Sequence, residues 1–405
     1  MTIAEALEIV KISLAVVAGA GGVVALVVAY RKQRVTEAGE QREQVKLYAE
    51  RFDKAADKLG SESAAVRLAG IHALASLADD WEGGRQMCID VLCAYLRMPP
   101  APKPDADDPE SLIAWQGMAE VRATATRLIG AHLRYDAPVP WHGHDFDFTA
   151  VTFDTGLDFG AAVFSGGRVS FDRAVFAGGL VRFYEATFSG GIVSFDEATF
   201  SGGEVRFLQA YFSGSFVSFK DAVFLDSTVT FDEARFAGGK VRFLRANFRG
   251  GRVSFDAATF SGGHINYHNA AFSGSTVSYA SAGFFGSYCS FGGAAFTAGV
   301  ITFQDARFAS GAISFAGTEF PGGVIYFDRA EFSGSSVDFA NAAFAGSTIR
   351  FDEAIFDVPP LLGNTRFSGG TVDLRLVRWG KQPIDLPERG PGLLLTTTTE
   401  GAAEA

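Results

Sequence analysis

Trp141-His142-Gly143-His144-Asp145 is the one histidine cluster in a chain of 405 residues and six histidines. Two imidazoles and a carboxylate in an HxHD order are ordinary ligands for zinc or a similar divalent ion. His142, His144 and Asp145 are therefore the candidate metal ligands, and a hydrolase would have to be built on them. The cluster falls between a helical region and a repeat, where a capping turn is the simpler account, so neither metal nor cofactor is expected. His264 and His268 lie four apart, one at a corner and one after an inward Tyr, which argues against a shared site. His72 stands among apolar neighbours and reads as a helix-packing residue. Cys88, Cys93 and Cys289 form no metal or disulfide pattern. Cys88 and Cys93 fall in an apolar helical run and read as buried free thiols, which fits a reducing compartment. No GxSxG, P-loop or HExxH motif is present. Asp172, Glu185, Asp196, Glu197, Asp232, Glu233, Asp352 and Glu353 could suggest acid/base work. Their recurrence at positions 2 and 3 of the repeat argues instead for a solvated corner. The chain is not expected to be an enzyme.

The elements holding these residues begin with an apolar run. From Ile12 to Tyr30 the sequence reads ISLAVVAGAGGVVALVVAY, nineteen residues without a charge. As a helix at ~1.5 Å per residue it spans ~28 Å, about the thickness of bilayer hydrocarbon. A signal peptide would have a shorter apolar region followed by a small-residue cleavage site. Here Tyr30-Arg31-Lys32-Gln33-Arg34 follows, so an uncleaved transmembrane anchor is expected. A soluble core helix is the rival, because Gly19, Gly21 and Gly22 weaken the apolar signal. Arg31, Lys32 and Arg34 outweigh Lys11, which places the N-terminus outside and everything after residue 31 in the cytoplasm of a single-pass cell-membrane protein. Small residues recur four apart, as in Ala15 with Gly19 and Ala18 with Gly22; this leaves a homo-oligomer open, although chance explains the spacing in so Ala- and Gly-rich a segment.

Residues 35–134 read as a small α-helical domain, HEAT-like or a bundle. Val45, Tyr48, Phe52 and Leu59 share one helical face, and Gly60 ends that helix. Val66, Ile71, Leu74 and Trp81 form a second face. A third helix runs through MCIDVLCAYLRM to Pro99-Pro100. APKPDADDPE is a linker, and a fourth helix runs from about Ser111 to Leu133.

From Phe159 to Arg350 the chain divides without a gap into sixteen units of twelve residues, such as FDEATFSGGEVR at 195–206. Position 6 is Phe in all sixteen; position 1 is Phe in fourteen and Tyr in two, Tyr267 and Tyr279. Position 4 is Ala in fifteen, position 11 is Val or Ile in fifteen, and position 8 is Gly in thirteen. Two apolar-x-apolar steps follow, Ala198-x-Phe200 and Val205-x-Phe207, each placing both side chains on one side of an extended strand. Asp196-Glu197 forms a short corner and Ser201-Gly202-Gly203-Glu204 a longer one, where glycine reaches positive φ freely. One unit gives two faces, too little room for two rings, so two units, 24 residues, are expected per coil. VRFY and VRFL alternate with VSFD in partial support. The inward ladder begins with Phe164, Phe171, Phe176, Phe183, Phe188, Phe195, Phe200, Phe207, Phe212 and Phe219, and its role is core. Eight coils at ~4.8 Å would make a rod ~38 Å long.

With AxFSG, as in Ala198 to Gly202, the repeat resembles the pentapeptide-repeat family, over residues 146 to about 356. It departs in that every second unit, GxVxFxx, has seven residues. The resemblance implies a mainly β fold, a right-handed, four-sided parallel β-helix. The whole arrangement also looks like multi-part actinobacterial membrane proteins of this class. The domain expectation is an anchor at 1–34, helices at 35–134, a linker and solenoid start at 135–158, the β-helix repeat domain at 159–356, a cap at 357–379 and a disordered tail at 380–405. Relatives in that family include DNA mimics that bind topoisomerases such as gyrase. Against that reading, residues 159–356 hold 17 acidic and 14 basic residues, a near-neutral surface, and Arg242, Arg245, Arg249 and Arg252 form a basic patch. The overall charge of −11 argues against nucleic-acid binding. The function expected is a non-catalytic, membrane-tethered scaffold for an unknown protein partner, presenting its solenoid in the cytoplasm.

Overall fold

The computed structural model describes residues 3–105, 107–154, 156–380 and 392–394; in the first helix the side chains at 5–6, 9–10, 12–28, 35–39 and 41 are outside the description. One helix, α1, covers Ile3–Leu59, with no break at the expected boundary near residue 34. Among the described residues no helix is long and apolar enough to cross a membrane. The anchor expectation rests on residues 12–30, and most of those side chains lie outside the described residues.

Helices α2 (Ala64–Asp80), α3 (Arg85–Arg97) and α4 (Pro109–Leu133) complete the helical domain, with α2 touching the other three. α4 starts where Asp108 accepts a hydrogen bond from the Ser111 amide at 3.1 Å, with Pro109 in the first turn. α3 ends under Arg122, whose guanidinium donates to the Leu96 and Met98 carbonyls, groups the helix itself leaves unpaired. Tyr48 of α1 stacks on Trp81 at 5.5 Å. Two expectations need correction: Val45 and Val66 are exposed, and His72 points to solvent instead of into the bundle.

From Phe146 onward the chain winds into a parallel β-solenoid of about ten coils. Among the described residues its strands form two sheets, of 17 and 19 strands. Successive 12-residue units alternate between them: 199–201 and 204–206 belong to the second sheet, 211–213 and 216–218 to the first. Each residue pairs with the residue 24 later, as Phe200 with Phe224 and Val217 with Val241, so the coil holds 24 residues. At both ends the spacing falls to 23, as in Phe146 with Val169 and Ala343 with Arg366. Residues 357–379, expected as a cap, supply further strands at 366–367, 371–373 and 378–379. Of the expected tail, 392–394 returns to pair with Val372–Asp373, and 381–391 and 395–405 lie outside the described residues.

The two corners differ in kind. At 195–198 the Ala198 amide donates to the Phe195 carbonyl at 3.1 Å, and Glu197 has φ +60°, the left-handed third residue of a type II turn. Arg173, Glu185, Gln209, Asp221 and Glu233 repeat this conformation, which side chains ordinarily avoid. Each such turn is held by the next coil: the Glu197 amide donates to the Lys220 carbonyl at 2.8 Å. The longer corner is a correction. Gly202-Gly203 alone separates strands of the same sheet, so it makes a kink within a face and does not carry the chain to the other sheet. In four units the two strands fuse into one of eight residues, such as 271–278, with a register shift at the kink.

Inside, the rings stand in four columns. Phe200 stacks between Phe176 and Phe224 at 4.8 Å each, and Phe183 on Phe207 at 4.6 Å. That spacing is the distance between paired strands, so the backbone sets the ring spacing. Planes only 2° apart with centroids 4.8 Å apart mean that the rings tilt and slide over one another, the offset geometry aromatic pairs favour. Neighbouring columns meet edge-on, as Phe183 with Phe195 at 86°. Phe164, Phe171, Phe176, Phe183, Phe188, Phe195, Phe200, Phe207, Phe212 and Phe219 are all buried, in one core continuous with that of the helices.

Candidate functional site

Helices meet solenoid at a junction that gathers three of the chain's six histidines, His132, His142 and His144. α4 lies on the first coil, where Gly130 comes so close to the Asp158 carbonyl that a Cβ would sit 2.5 Å from it. The chain then turns back, and Trp141 is fully buried with its indole N–H donating to Asp79 Oδ1 at 2.9 Å. His132 sits 3.2 Å from the other Asp79 oxygen and stacks on Trp141 at 4.1 Å. Its Nδ1 lies 2.7 Å from the Leu128 carbonyl, so both imidazole nitrogens are engaged. Sequence reasoning missed this trio, because Asp79, His132 and Trp141 have no motif spacing; only the α2–α4 contact unites them.

The candidate metal ligands are not assembled. His142 Nε2 lies 2.9 Å from the Leu133 carbonyl, so the ring closes the end of α4. His144 Nδ1 lies 3.1 Å from Gln86 Oε1, and the Asp145 amide donates to the same oxygen at 3.0 Å. Asp145 Oδ1 accepts from the Arg168 amide at 2.6 Å, fixing the start of a strand. Burial, then the charge of Arg85, pulls the His144 imidazole below its usual range. Among the described residues no three His, Cys, Asp or Glu side chains are grouped to hold a metal. His142 instead caps α4, and His144 and Asp145 fasten α3 to the start of the solenoid.

The recurring acids have a structural task. Asp196 Oδ1 accepts the Lys220 amide at 3.0 Å, and Asp172 Oδ1 accepts the Asp196 amide at 3.1 Å, bonds that step from coil to coil. Ser194 and Ser278 donate to Asp172 and Asp256 from the next coil. Asp221 takes a two-pronged contact from Arg245 at 2.7 Å, and Asp305 one from Arg329, which holds both carboxyls below the usual range. Of the two exposed histidines in the repeat, His264 lies on a sheet face under Tyr288 and His268 in a corner.

Two hollows flank the junction. A cavity of about 340 Å³ lies between α4, the Pro-rich 100–104 segment and the first coil, with Trp115, Met118, Arg122 and Leu157 in its wall. A wider one of about 640 Å³ lies beside α3, where Asp90, Asp147, Asp172 and Glu197 outnumber Arg168 and Arg173.

No family model and no curated protein matches the chain. Among solved structures, the chain is similar to that of full-length QnrB1, described as a plasmid-mediated fluoroquinolone resistance protein, with 14% identity and a TM-score of 0.17, covering 61% of this chain and 94% of that one. On its own geometry the chain is a parallel β-solenoid on a regular Phe period, headed by a small helical domain.

Proposed function

We propose that this chain is a non-catalytic protein-interaction scaffold, tethered to the membrane through residues 12–30 with its solenoid in the cytoplasm. The observation that carries the reading is the stack of about ten coils with two continuous outward sheet faces, on a core shared with the helices. Such a rod offers an extended, pre-ordered surface, the usual way repeat proteins bind partners. Support for the tether is the uncharged run Ile12–Tyr30 followed by Arg31, Lys32 and Arg34. The gyrase-binding alternative needs a face of aligned carboxylates, and the mixed charges of the solenoid give it no support.

Fractionation and proximity labelling test the reading together. Full-length protein should stay in carbonate-washed membranes, and deletion of residues 1–34 should release it. A biotin ligase fused to the C-terminus should enrich a small set of cytoplasmic proteins. Release of the full-length chain by carbonate would remove the tether; labelling no different from a free cytoplasmic ligase would remove the scaffold.

A further inference from the structure

Over most of its length the first sheet presents cations without a carboxylate in the same strands. From Val163 to Ser314 the strands of the first sheet carry no Asp or Glu at all. Over the same stretch the strands of the second sheet carry one acid, Glu204, and the first sheet has its own acids, Asp147, Glu331 and Asp338, towards its two ends. Several arginines of the second sheet are paired, Arg206 with Glu204 at 2.6 Å, Arg182 with Asp158 at 3.8 Å and Arg252 with Asp256 at 2.7 Å, whereas Arg249 has no carboxylate within 4 Å among the described residues. On the first sheet Arg235, Lys240 and Arg242 share one unit, and among the described residues none has a carboxylate within 4 Å.

Aromatic side chains flank these cations along the rod. Register places Phe216 beside Lys240, Lys240 beside His264, and His264 beside Tyr288, each step one coil. Tyr211 stands one coil from Arg235 and, like Tyr288, is 40% exposed. Arg242 lies over the Phe216 ring at 5.2 Å, which holds the guanidinium flat against the face. A row of unpaired cations between exposed rings, on a backbone that cannot rearrange, recognises carboxylates next to apolar side chains.

We infer that this face is a docking surface for an acidic polypeptide segment carrying aromatic side chains. The inference rests on the scaffold reading and assigns it a face and a partner chemistry. Charge complementarity decides the occupant. A nucleic acid would also meet the cations, but a long polyanion would run past the rim formed by Asp232 and Glu233, on a chain of net charge −11. A short acidic segment fits between the corners.

The test uses full-length protein in detergent and a fluorescein-labelled peptide of alternating Glu and Phe, followed by anisotropy. Labelled oligo-dT and a Lys/Phe peptide are the comparison probes. Binding of the Glu/Phe peptide should weaken with salt and fall at least ~10-fold in the triple variant Arg235→Glu, Lys240→Glu, Arg242→Glu. Arg249→Glu, on the second sheet, should leave it unchanged. All three substituted side chains point outward, so the variant should keep the wild-type melting curve. Equal binding by the triple variant, or tighter binding of oligo-dT or the Lys/Phe peptide, overturns the inference. A partner found by proximity labelling that crosslinks only to the second sheet would overturn it too, while leaving the scaffold reading intact.

Discussion

Phe200 shows what one ring contributes. It is fully buried, sandwiched at 4.8 Å by Phe176 and Phe224, and tilted against Phe195 and Phe219. Phe200→Ala would leave a gap that the coils above and below cannot close, because their strands are tied to neighbours at a fixed spacing. The loss should be ~3–5 kcal/mol by denaturant titration, and a loss below ~1 kcal/mol would place the ring outside the core. The thiols make a second case. Burial pushes Cys88 up to about 11 and Cys93 up to about 12, and Cys289 higher still. Each remains protonated at neutral pH, and thiolate is the reactive form. Native protein should therefore resist an aromatic disulfide reagent for many minutes, and guanidinium should release all three thiols at once. Fast labelling of any of them in the native state would contradict the burial.

The glycine pair is the element where sequence and geometry meet most closely. Gly202 has φ +80° and its added Cβ would meet nothing nearer than the Ala177 carbonyl at 3.8 Å. Gly203 has φ +69°, but its Cβ would lie 2.6 Å from the Gly179 carbonyl of the coil before. Backbone strain alone should make Gly202→Ala cost ~1–2 kcal/mol. Gly203→Ala adds a collision with backbone that cannot move aside, so its melting temperature should fall clearly further. Equal losses would mean that the close approach between coils is not what requires the second glycine. The same element explains why the kink stays within a face: with both residues left-handed, the strand resumes its direction two residues on.

For the molecule as a whole, the coil length is the controlling quantity. Deleting 207–230 removes one 24-residue turn and joins Arg206 to Phe231, a position 12 to a position 1, so every ladder re-forms. Deleting 207–212 puts a position 7 where a position 1 belongs and exposes rings along the cut. The first variant should melt within a few degrees of wild type by circular dichroism, and the second should lose most of its β signal. If both melted alike, the ladders would not be what holds the rod together. Deleting 207–218 should also fold, but it turns every later unit by half a coil and carries Arg235, Lys240 and Arg242 to the opposite side of the helical domain.

By itself the sequence determined the coil, because it is periodic and its inward positions admit little besides Phe, Ala and Val. A strand period of two with a unit of twelve leaves few ways to close, and two rings per unit require two units per turn. The partial alternation of the VRF and VSF motifs has a plain counterpart: Val181 and Val205 lie in the second sheet, and Val241 in the first. Local spacing failed where contacts are distant. Asp79, His132 and Trp141 come together only because α2 packs against α4, and the HxHD order of His142, His144 and Asp145 is broken by partners on Gln86, Leu133 and Arg168. The rings beside Arg235, Lys240 and Arg242 were equally hidden, since Tyr211, Phe216 and His264 reach those cations only through a 24-residue register. Periodic burial is written locally and repeats; which charges share a face depends on where the coil closes, and only the folded chain decides that.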